Sequence, residues 1–133
     1  MAAAVLSCIF APCPARAQAV PEKFTLVLFG ASWCAPCIAE VRSIAGIAAA
    51  NSGNPVVVAW TDGGFARMRL AVPENVTVVP LPRAEQLWEA HGQSAGGLPF
   101  SVMLDGAGRR CARWSRPLTP EAVAIMRRAC RSS

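Results

Sequence analysis

Two continuous apolar runs dominate the hydrophobic pattern in the first half of the chain. Residues 23–30, KFTLVLFG, and residues 55–60, PVVVAW, contain almost no polar residue inside the run. Runs of this length predict strands that are buried on both faces of a sheet. The intervening residues 35–50 are rich in Ala, Ile and Val, which predicts a helix that ends at the Asn-Ser-Gly-Asn-Pro segment 51–55.

The second half has shorter apolar runs, each bounded by turn residues. We predict a short helix over residues 65–71, a strand over 75–79 closed by Pro80 and Pro82, and a helix over 83–92.

The C-terminal part contains two strands and a last helix. Residues 99–105 and 109–115 flank an Asp-Gly-Ala-Gly segment, which predicts a hairpin. The last helix follows an N-cap at Thr119 and ends near Arg131. The element order β-α-β-α-β-α-β-β-α predicts an α/β fold with a central mixed sheet flanked by helices.

The N-terminus differs from the rest of the chain. An apolar run of about ten residues, too short to span a bilayer, is followed by Ala17-Gln18-Ala19, where Ala17 and Ala19 fit a signal-cleavage pattern. We therefore predict a signal peptide over residues 1–19 and one domain over residues 20–133. The run lacks the preceding Lys or Arg that such signals carry, so a frayed extension stays open as an alternative.

Composition and charge narrow the class of protein. Of the 133 residues, 53% are hydrophobic and 16% charged, which excludes a disordered chain. The net charge is +5, and all basic residues except Lys23 are arginines. They are scattered, and no basic run is interleaved with aromatic residues, so we predict no nucleic-acid binding.

Removal of residues 1–19 would leave four of the six cysteines: Cys34, Cys37, Cys111 and Cys130. In an oxidising compartment an even number can pair. Cys34 and Cys37 form the local pair. Cys111 and Cys130 are candidates for a second bridge, with burial as small apolar side chains as the alternative.

The local pair lies in the segment FGASWCAPCIAE, residues 29–40, after a strand and at a predicted helix start. The partial positive charge and free N–H groups of a helix N-terminus stabilise a thiolate on Cys34. Cys37, one turn further along and more buried, can then close a disulfide, which predicts a mixed-disulfide cycle. Pro36 fits the first turn, where a missing N–H costs nothing.

A cysteine pair of this kind can also bind a metal ion, attach haem or form a structural disulfide. Structural zinc needs four ligands, and His91 is the only histidine, so we predict no metal and no cofactor. Covalent haem needs a histidine where Ile38 stands. An inert structural disulfide and Cu(I) held by the two thiolates stay open.

The segment resembles the signature of the thioredoxin superfamily, and its extension to Glu40 resembles the exported TlpA/ResA/CcmG branch of thiol-disulfide oxidoreductases. The segment GGLPFSVMLDGAGRR, residues 96–110, resembles the cis-proline, strand and hairpin of that family, with Pro99 as the cis-proline. The resemblance covers residues 22–131 and implies a thioredoxin fold.

The resemblance also implies a substrate-binding surface. The backbone of Leu98 would pair with an extended substrate segment, and Pro99 would sit against the cysteine pair. Trp33 would shield the sulfurs and join the docking surface, to which Pro36 is also assigned. An ordinary core tryptophan is the alternative for Trp33.

Glu40 is the third catalytic residue that the resemblance implies, beside Cys34 and Cys37. It lies one helical turn beyond Cys37 on the same face and would tune thiol protonation. A solvated glutamate paired with an arginine is the alternative. Leu28 stands where many thioredoxins have a buried acid, and Arg42 stands where the family often has a kinking proline, which predicts a straighter helix.

The implied function is reduction of disulfides in exported proteins, such as apocytochrome c or copper-site cysteines. Its partners would be protein thiols and a membrane electron donor of the DsbD/CcdA type. Its location would be periplasmic or otherwise exported, with membrane association through an uncleaved N-terminus. A disulfide oxidase or isomerase, a Cu(I)-handling chaperone and a non-catalytic binding module stay open as alternatives.

Overall fold

Five strands form one mixed sheet within residues 23–133, the part of the chain that this computed structural model describes. The predicted signal peptide, residues 1–19, lies outside the described residues. The strands are Thr25–Gly30 (β1), Val56–Trp60 (β2), Val76–Val78 (β3), Phe100–Leu104 (β4) and Arg110–Trp114 (β5). Their order in the sheet is β3-β2-β1-β4-β5.

The first three strands are parallel, and the last two are antiparallel to their neighbours. Leu26 of β1 pairs with Val56 of β2, and β2 pairs with β3 in the same direction. On its other side, β1 pairs antiparallel with β4, which continues through the predicted hairpin into β5. The mixed sheet is therefore confirmed, with β1 at its centre.

Four α-helices cover the two faces of this sheet. They are Ala35–Arg42 (α1), Ile44–Ala50 (α2), Leu81–His91 (α3) and Pro120–Arg131 (α4), and a short 3-10 helix spans Phe65–Met68. No helix among the described residues is long and apolar enough to cross a membrane.

Alternate residues of β1 explain why both faces are covered. Leu26 and Leu28 pack into a core with α1, α2 and α4, whereas Val27 and Phe29 pack into a second core with α3. Successive side chains of a strand point to opposite faces, so a continuous apolar run supplies both cores at once. All four side chains are almost fully buried.

The predicted single helix over residues 35–50 is wrong, and so is the expectation that it is straighter. The chain leaves helical geometry at Ser43, where φ is −100° and ψ is 17°, and α2 starts at the next residue. The Ser43 N–H donates to the Glu40 carbonyl at 3.0 Å, a tightened last turn of α1. Ile44 and Ile47 of α2 are buried in the core that also contains residues of α4.

The other helix boundaries differ by small amounts. Helix α3 begins at Leu81 rather than residue 83, so Pro82 lies in its first turn, where its missing N–H is tolerated. The predicted helix over residues 65–71 is the shorter 3-10 helix, and Arg69, in left-handed geometry, ends it. Thr119 caps α4 as predicted, because its side chain accepts from the Ala122 N–H.

A disulfide joins Cys111 of β5 to Cys130 in the last turn of α4, with 4.9 Å between their Cα atoms. Of the two alternatives, the bridge is the one that the structure contains. It ties the C-terminal helix to the edge strand of the sheet, which has a neighbour on one side only.

We expect the double variant Cys111→Ser/Cys130→Ser to be less stable than the parent by roughly 2–3 kcal/mol, because a loop closed in the unfolded chain is released. The midpoint of thermal unfolding should fall by roughly 10 °C. Scanning calorimetry in non-reducing buffer measures the difference. Parent and variant both unfolded with excess phosphine reductant are the control and should show the same midpoint, because the reductant opens the Cys34–Cys37 bridge in both. Equal midpoints without reductant would contradict the prediction.

Candidate functional site

The site begins where β1 ends, at the carboxyl edge of the parallel strands, the position at which α/β folds bind ligands. Cys34 is the N-cap of α1, with extended φ and ψ of −94° and 98°. Its Sγ accepts a hydrogen bond from the Cys37 N–H at 3.2 Å. The two sulfurs form a disulfide of 2.05 Å, with 5.2 Å between the Cα atoms.

This geometry gives the two sulfurs different chemical properties. Cys34 lies at the N-terminus of α1, at the positive end of the helix dipole and next to the free N–H groups of the first turn. Both stabilise its thiolate once the disulfide is reduced. Cys37 lies inside the helix and is more deeply buried, with 1% of its surface exposed against 4% for Cys34. The arrangement therefore supports Cys34 as the attacking sulfur and Cys37 as the resolving one.

Asp62 fixes the turn that leads into Cys34. Its carboxylate accepts from the Ser32 N–H at 2.9 Å and from the Ser32 hydroxyl at 3.1 Å, and the Trp60 indole N–H donates to the same hydroxyl at 3.0 Å. Desolvation would raise the pKa of Asp62, but hydrogen bonds from Gly64 and Ser32 outweigh it and hold the pKa below its usual range. The sequence alone predicts no role for Asp62.

Glu40 is buried in the last turn of α1, with 5% of its surface exposed. Its Oε2 accepts a hydrogen bond from the Leu118 N–H at 2.5 Å. Desolvation raises the pKa of the carboxyl group to about 7, although the Leu118 hydrogen bond acts in the opposite direction. The alternative of a solvated glutamate paired with an arginine is therefore wrong for this fold.

Trp33 and Leu98 lie together in one groove beside the cysteine pair, with a volume of about 500 Å³. Trp33 is 74% exposed, which excludes the alternative of a core tryptophan. Leu98 is half-buried, and the Leu98-Pro99 peptide bond is cis, as the resemblance implied. Pro36 is exposed in the first turn of α1 and does not line this groove.

Helix α3 contributes three further residues to the groove that the sequence assigned only to a helix. Glu85, Trp88 and Glu89 line the groove together with Trp33 and Leu98. Their spacing of three and four residues places them on one helical face, and this spacing was the signal available in the sequence. Nothing in the sequence indicated that this face would meet Leu98.

Among residues 23–133, no group of three or more His, Cys, Asp or Glu side chains is placed to hold a metal ion. The sulfurs of Cys34 and Cys37 are joined to each other in this structure.

The chain is similar in sequence to the thiol:disulfide interchange protein HelX of Rhodobacter capsulatus, with 30% identity over 107 residues. The match covers 76% of this chain and 57% of HelX, so the chain spans a little over half the length of that relative. No family model matches the chain.

Solved structures share the fold at low sequence identity. A thioredoxin-related protein of Neisseria meningitidis serogroup B has a TM-score of 0.59 at 17% identity, covering 90% of this chain and 93% of its own. StoA of Bacillus subtilis has a TM-score of 0.57 at 19% identity, covering 79% and 82%. A putative DsbE of Chlorobium tepidum has a TM-score of 0.58 at 23% identity, covering 81% and 79%.

These structures confirm the predicted thioredoxin fold of a mixed sheet flanked by helices. The sequence similarity to HelX, a thiol:disulfide interchange protein, is consistent with this fold. The chain therefore has the thioredoxin fold, with a Cys-x-x-Cys disulfide at the start of α1.

Proposed function

We propose that the chain is a thiol-disulfide oxidoreductase that works through Cys34 and Cys37. The observation that carries this proposal is the position of Cys34 at the N-cap of α1, with its Sγ accepting the Cys37 N–H. A sulfur in this position gains stabilisation as a thiolate, and the adjacent sulfur is close enough to displace any partner. HelX, a thiol:disulfide interchange protein, is the sequence relative that supports it.

Reduction of a substrate disulfide then takes two exchange steps. The Cys34 thiolate attacks one substrate sulfur, which forms a mixed disulfide and releases the other substrate sulfur as a thiolate that takes up a proton. The Cys37 thiol loses its proton and attacks the Cys34 Sγ. This second step closes the Cys34–Cys37 disulfide and releases the second substrate thiol. In sum, the protein loses two electrons and the Cys37 proton, and the substrate gains two electrons and takes up two protons, at least one of them from solvent.

Glu40 is the proposed acceptor for the Cys37 proton. It lies one helical turn beyond Cys37, on the same side of α1. With a pKa of about 7, its carboxyl group exists in both protonation states near neutral pH. A group with this property can take a proton when the second exchange step begins and return it when the pair is reduced again.

The proposed direction is reduction, and the proposed substrates are disulfides of exported proteins, including apocytochrome c or copper-site cysteines. Support comes from the resemblance of the Trp33–Glu40 segment to the reductive TlpA/ResA/CcmG branch and from the names of HelX and the putative DsbE. In this role the protein is periplasmic or otherwise exported. It is recharged by a membrane donor of the DsbD/CcdA type.

The reduction potential of the Cys34–Cys37 pair tests the direction. We expect a value near the roughly −270 mV of thioredoxin, far below the roughly −120 mV of the oxidant DsbA. The measurement is equilibration with graded thiol-disulfide buffers, followed by alkylation and mass spectrometry of the two cysteines. A potential above roughly −180 mV, the value of protein disulfide isomerase, would favour the oxidase or isomerase alternative.

Insulin reduction tests the activity itself. The protein with a free Cys34–Cys37 dithiol should reduce insulin disulfides and become oxidised in the process, at a ratio of one dithiol to one disulfide. If the intact dithiol protein leaves insulin unreduced, the non-catalytic binding module replaces the oxidoreductase as the best interpretation of the fold.

A further inference from the structure

The groove beside Cys34 has one apolar wall that is rigidly held. Trp88 of α3 packs edge-on against Phe29, with 5.2 Å between the ring centroids and 77° between the planes, and edge-on against Phe100 at 6.4 Å. Gly92 completes the support, because a Cβ atom there would lie 2.4 Å from the Trp88 ring. The half-buried Trp88 ring therefore presents a fixed surface to the groove.

The groove is also lined by two residues that are close in sequence to the functional positions. Trp33 immediately precedes Cys34, and Leu98 immediately precedes the cis-proline. When an extended substrate segment places its cysteine sulfur at Cys34, the residues next to that cysteine lie beside the groove, because each extended residue adds only about 3.3 Å of length.

Two acidic side chains give this groove a charge opposite to that of the whole protein. Glu85 and Glu89 are both exposed, lie four residues apart on α3, and line the groove with Trp88. Within the described part of the chain, neither carboxylate forms an ion pair or a hydrogen bond with another side chain. Like charges at this spacing disfavour the helix, and within residues 23–133 no arginine forms an ion pair with either carboxylate, although the chain has a net charge of +5.

We propose that this groove selects substrate segments that carry an arginine or lysine close to the cysteine that Cys34 attacks. The alkyl stem of such a residue packs on the Trp88 ring, and its cationic group meets Glu85 and Glu89. Arginine fits best, because its planar guanidinium both stacks on an indole ring and donates two parallel hydrogen bonds to a carboxylate. This inference rests on the proposed function, since it names the substrate class of the same cysteine pair.

The test uses the Cys37→Ser variant and short peptides whose single cysteine carries a thionitrobenzoate group in disulfide linkage. The Cys34 thiolate attacks the peptide sulfur, forms the Cys34–peptide disulfide and releases coloured thionitrobenzoate, with no net oxidation. Two peptides that differ only by Arg or Gln two residues after the cysteine are compared, and the pair is repeated at the other nearby positions. At low ionic strength, the Arg peptide should react about tenfold faster at the best position.

Charge reversal in the groove provides the decisive comparison. In the Glu85→Lys/Glu89→Lys background the preference should invert, so that a Glu peptide reacts faster than the Arg peptide. Glu74→Lys/Glu121→Lys makes the same change of net charge at exposed residues outside the groove and should keep the Arg preference. Added salt should reduce the preference in the parent, because exposed charges are screened.

The outcomes separate this inference from the proposed function. Equal rates for Arg and Gln peptides at every position, with the double reversal having no effect, would overturn the groove inference while exchange at Cys34 continued. Loss of the preference in both reversal backgrounds would also overturn it, because it would reduce the effect to net charge. Failure of every peptide to form a disulfide with Cys34 would instead count against the oxidoreductase itself.

Discussion

Replacing Cys34 by serine should lower the rate of insulin reduction by at least about 10³-fold, because the attacking sulfur is removed and a hydroxyl at the same N-cap is not a nucleophile at neutral pH. The serine keeps the cap, since its oxygen can still accept the Cys37 N–H that the Cys34 Sγ accepts at 3.2 Å. The fold should therefore persist, and circular dichroism checks this.

Cys37→Ser should show a different defect. It retains the attacking sulfur but cannot resolve the mixed disulfide, so substrates should stay attached to Cys34. Expressed in the native host, this variant should yield protein adducts that mass spectrometry identifies after non-reducing purification. They would show whether exported proteins are the substrates.

The Cys34→Ser variant is the matched control for that trap and should yield no adducts. Equal yields from the two variants would contradict the assignment of Cys34 as the attacking sulfur, since Cys37 would then react with substrates as well. The greater burial of Cys37 within α1 is the physical reason to expect a large difference.

Glu40→Gln should change the pH dependence of both stability and exchange. In the oxidised protein the pKa of Glu40 is about 7, whereas its ordinary value is 4.5. Between these values the folded protein binds more protons than the unfolded chain, so stability should fall as the pH rises through this interval. The full effect of the shift is about 3 kcal/mol at 1.36 kcal/mol per unit.

Glutamine removes this titration while its amide oxygen can still accept from the Leu118 N–H. Denaturant unfolding of the oxidised parent and variant from pH 5 to pH 8 gives the two stability curves, and their difference isolates Glu40 from other titrating groups. The gap should favour the variant increasingly as the pH rises. Parallel curves would show that Glu40 does not titrate in this range.

The same variant tests the catalytic role of Glu40. If Glu40 exchanges protons with the pair, Glu40→Gln should shift the thiolate pKa of Cys34 and alter the pH profile of insulin reduction near neutral pH. The ultraviolet absorbance of the thiolate, or the rate of its alkylation, measured against pH reports that pKa. An unchanged thiolate pKa would leave Glu40 as a purely structural link between α1 and the segment before α4.

Much of the architecture was predictable, because the buried strands have a strong local signal. The run 23–30 predicts a central strand without any knowledge of its neighbours, and β1 is that strand. The hairpin between β4 and β5 and the Thr119 cap also depend on short-range hydrogen bonds and turn conformations, which adjacent residues determine.

The break at Ser43 was not predictable from the same kind of pattern. Residues 35–50 are rich in alanine and have no proline after the first turn, so the pattern favours one helix even though Ser43 and Gly46 are weak helix formers. Ile44 and Ile47, which follow the break, are buried in the core that α2 shares with α4. Tertiary contacts override propensity here, as they do when buried apolar area is at stake.

The sequence by itself located the Cys34–Cys37 pair and predicted which of its two sulfurs attacks. Cys34, Cys37 and the helix that begins between them lie within a few residues, so helix-terminus electrostatics needs no distant partner. Only the tertiary structure determined the environment of Glu40. Its carboxylate is buried and accepts a hydrogen bond from the N–H of Leu118, 78 positions further along the chain. The tertiary structure also decided the groove, where Trp33, Leu98 and α3 meet. Burial and complementary surfaces arise from residues far apart in the chain, and folding alone brings them together.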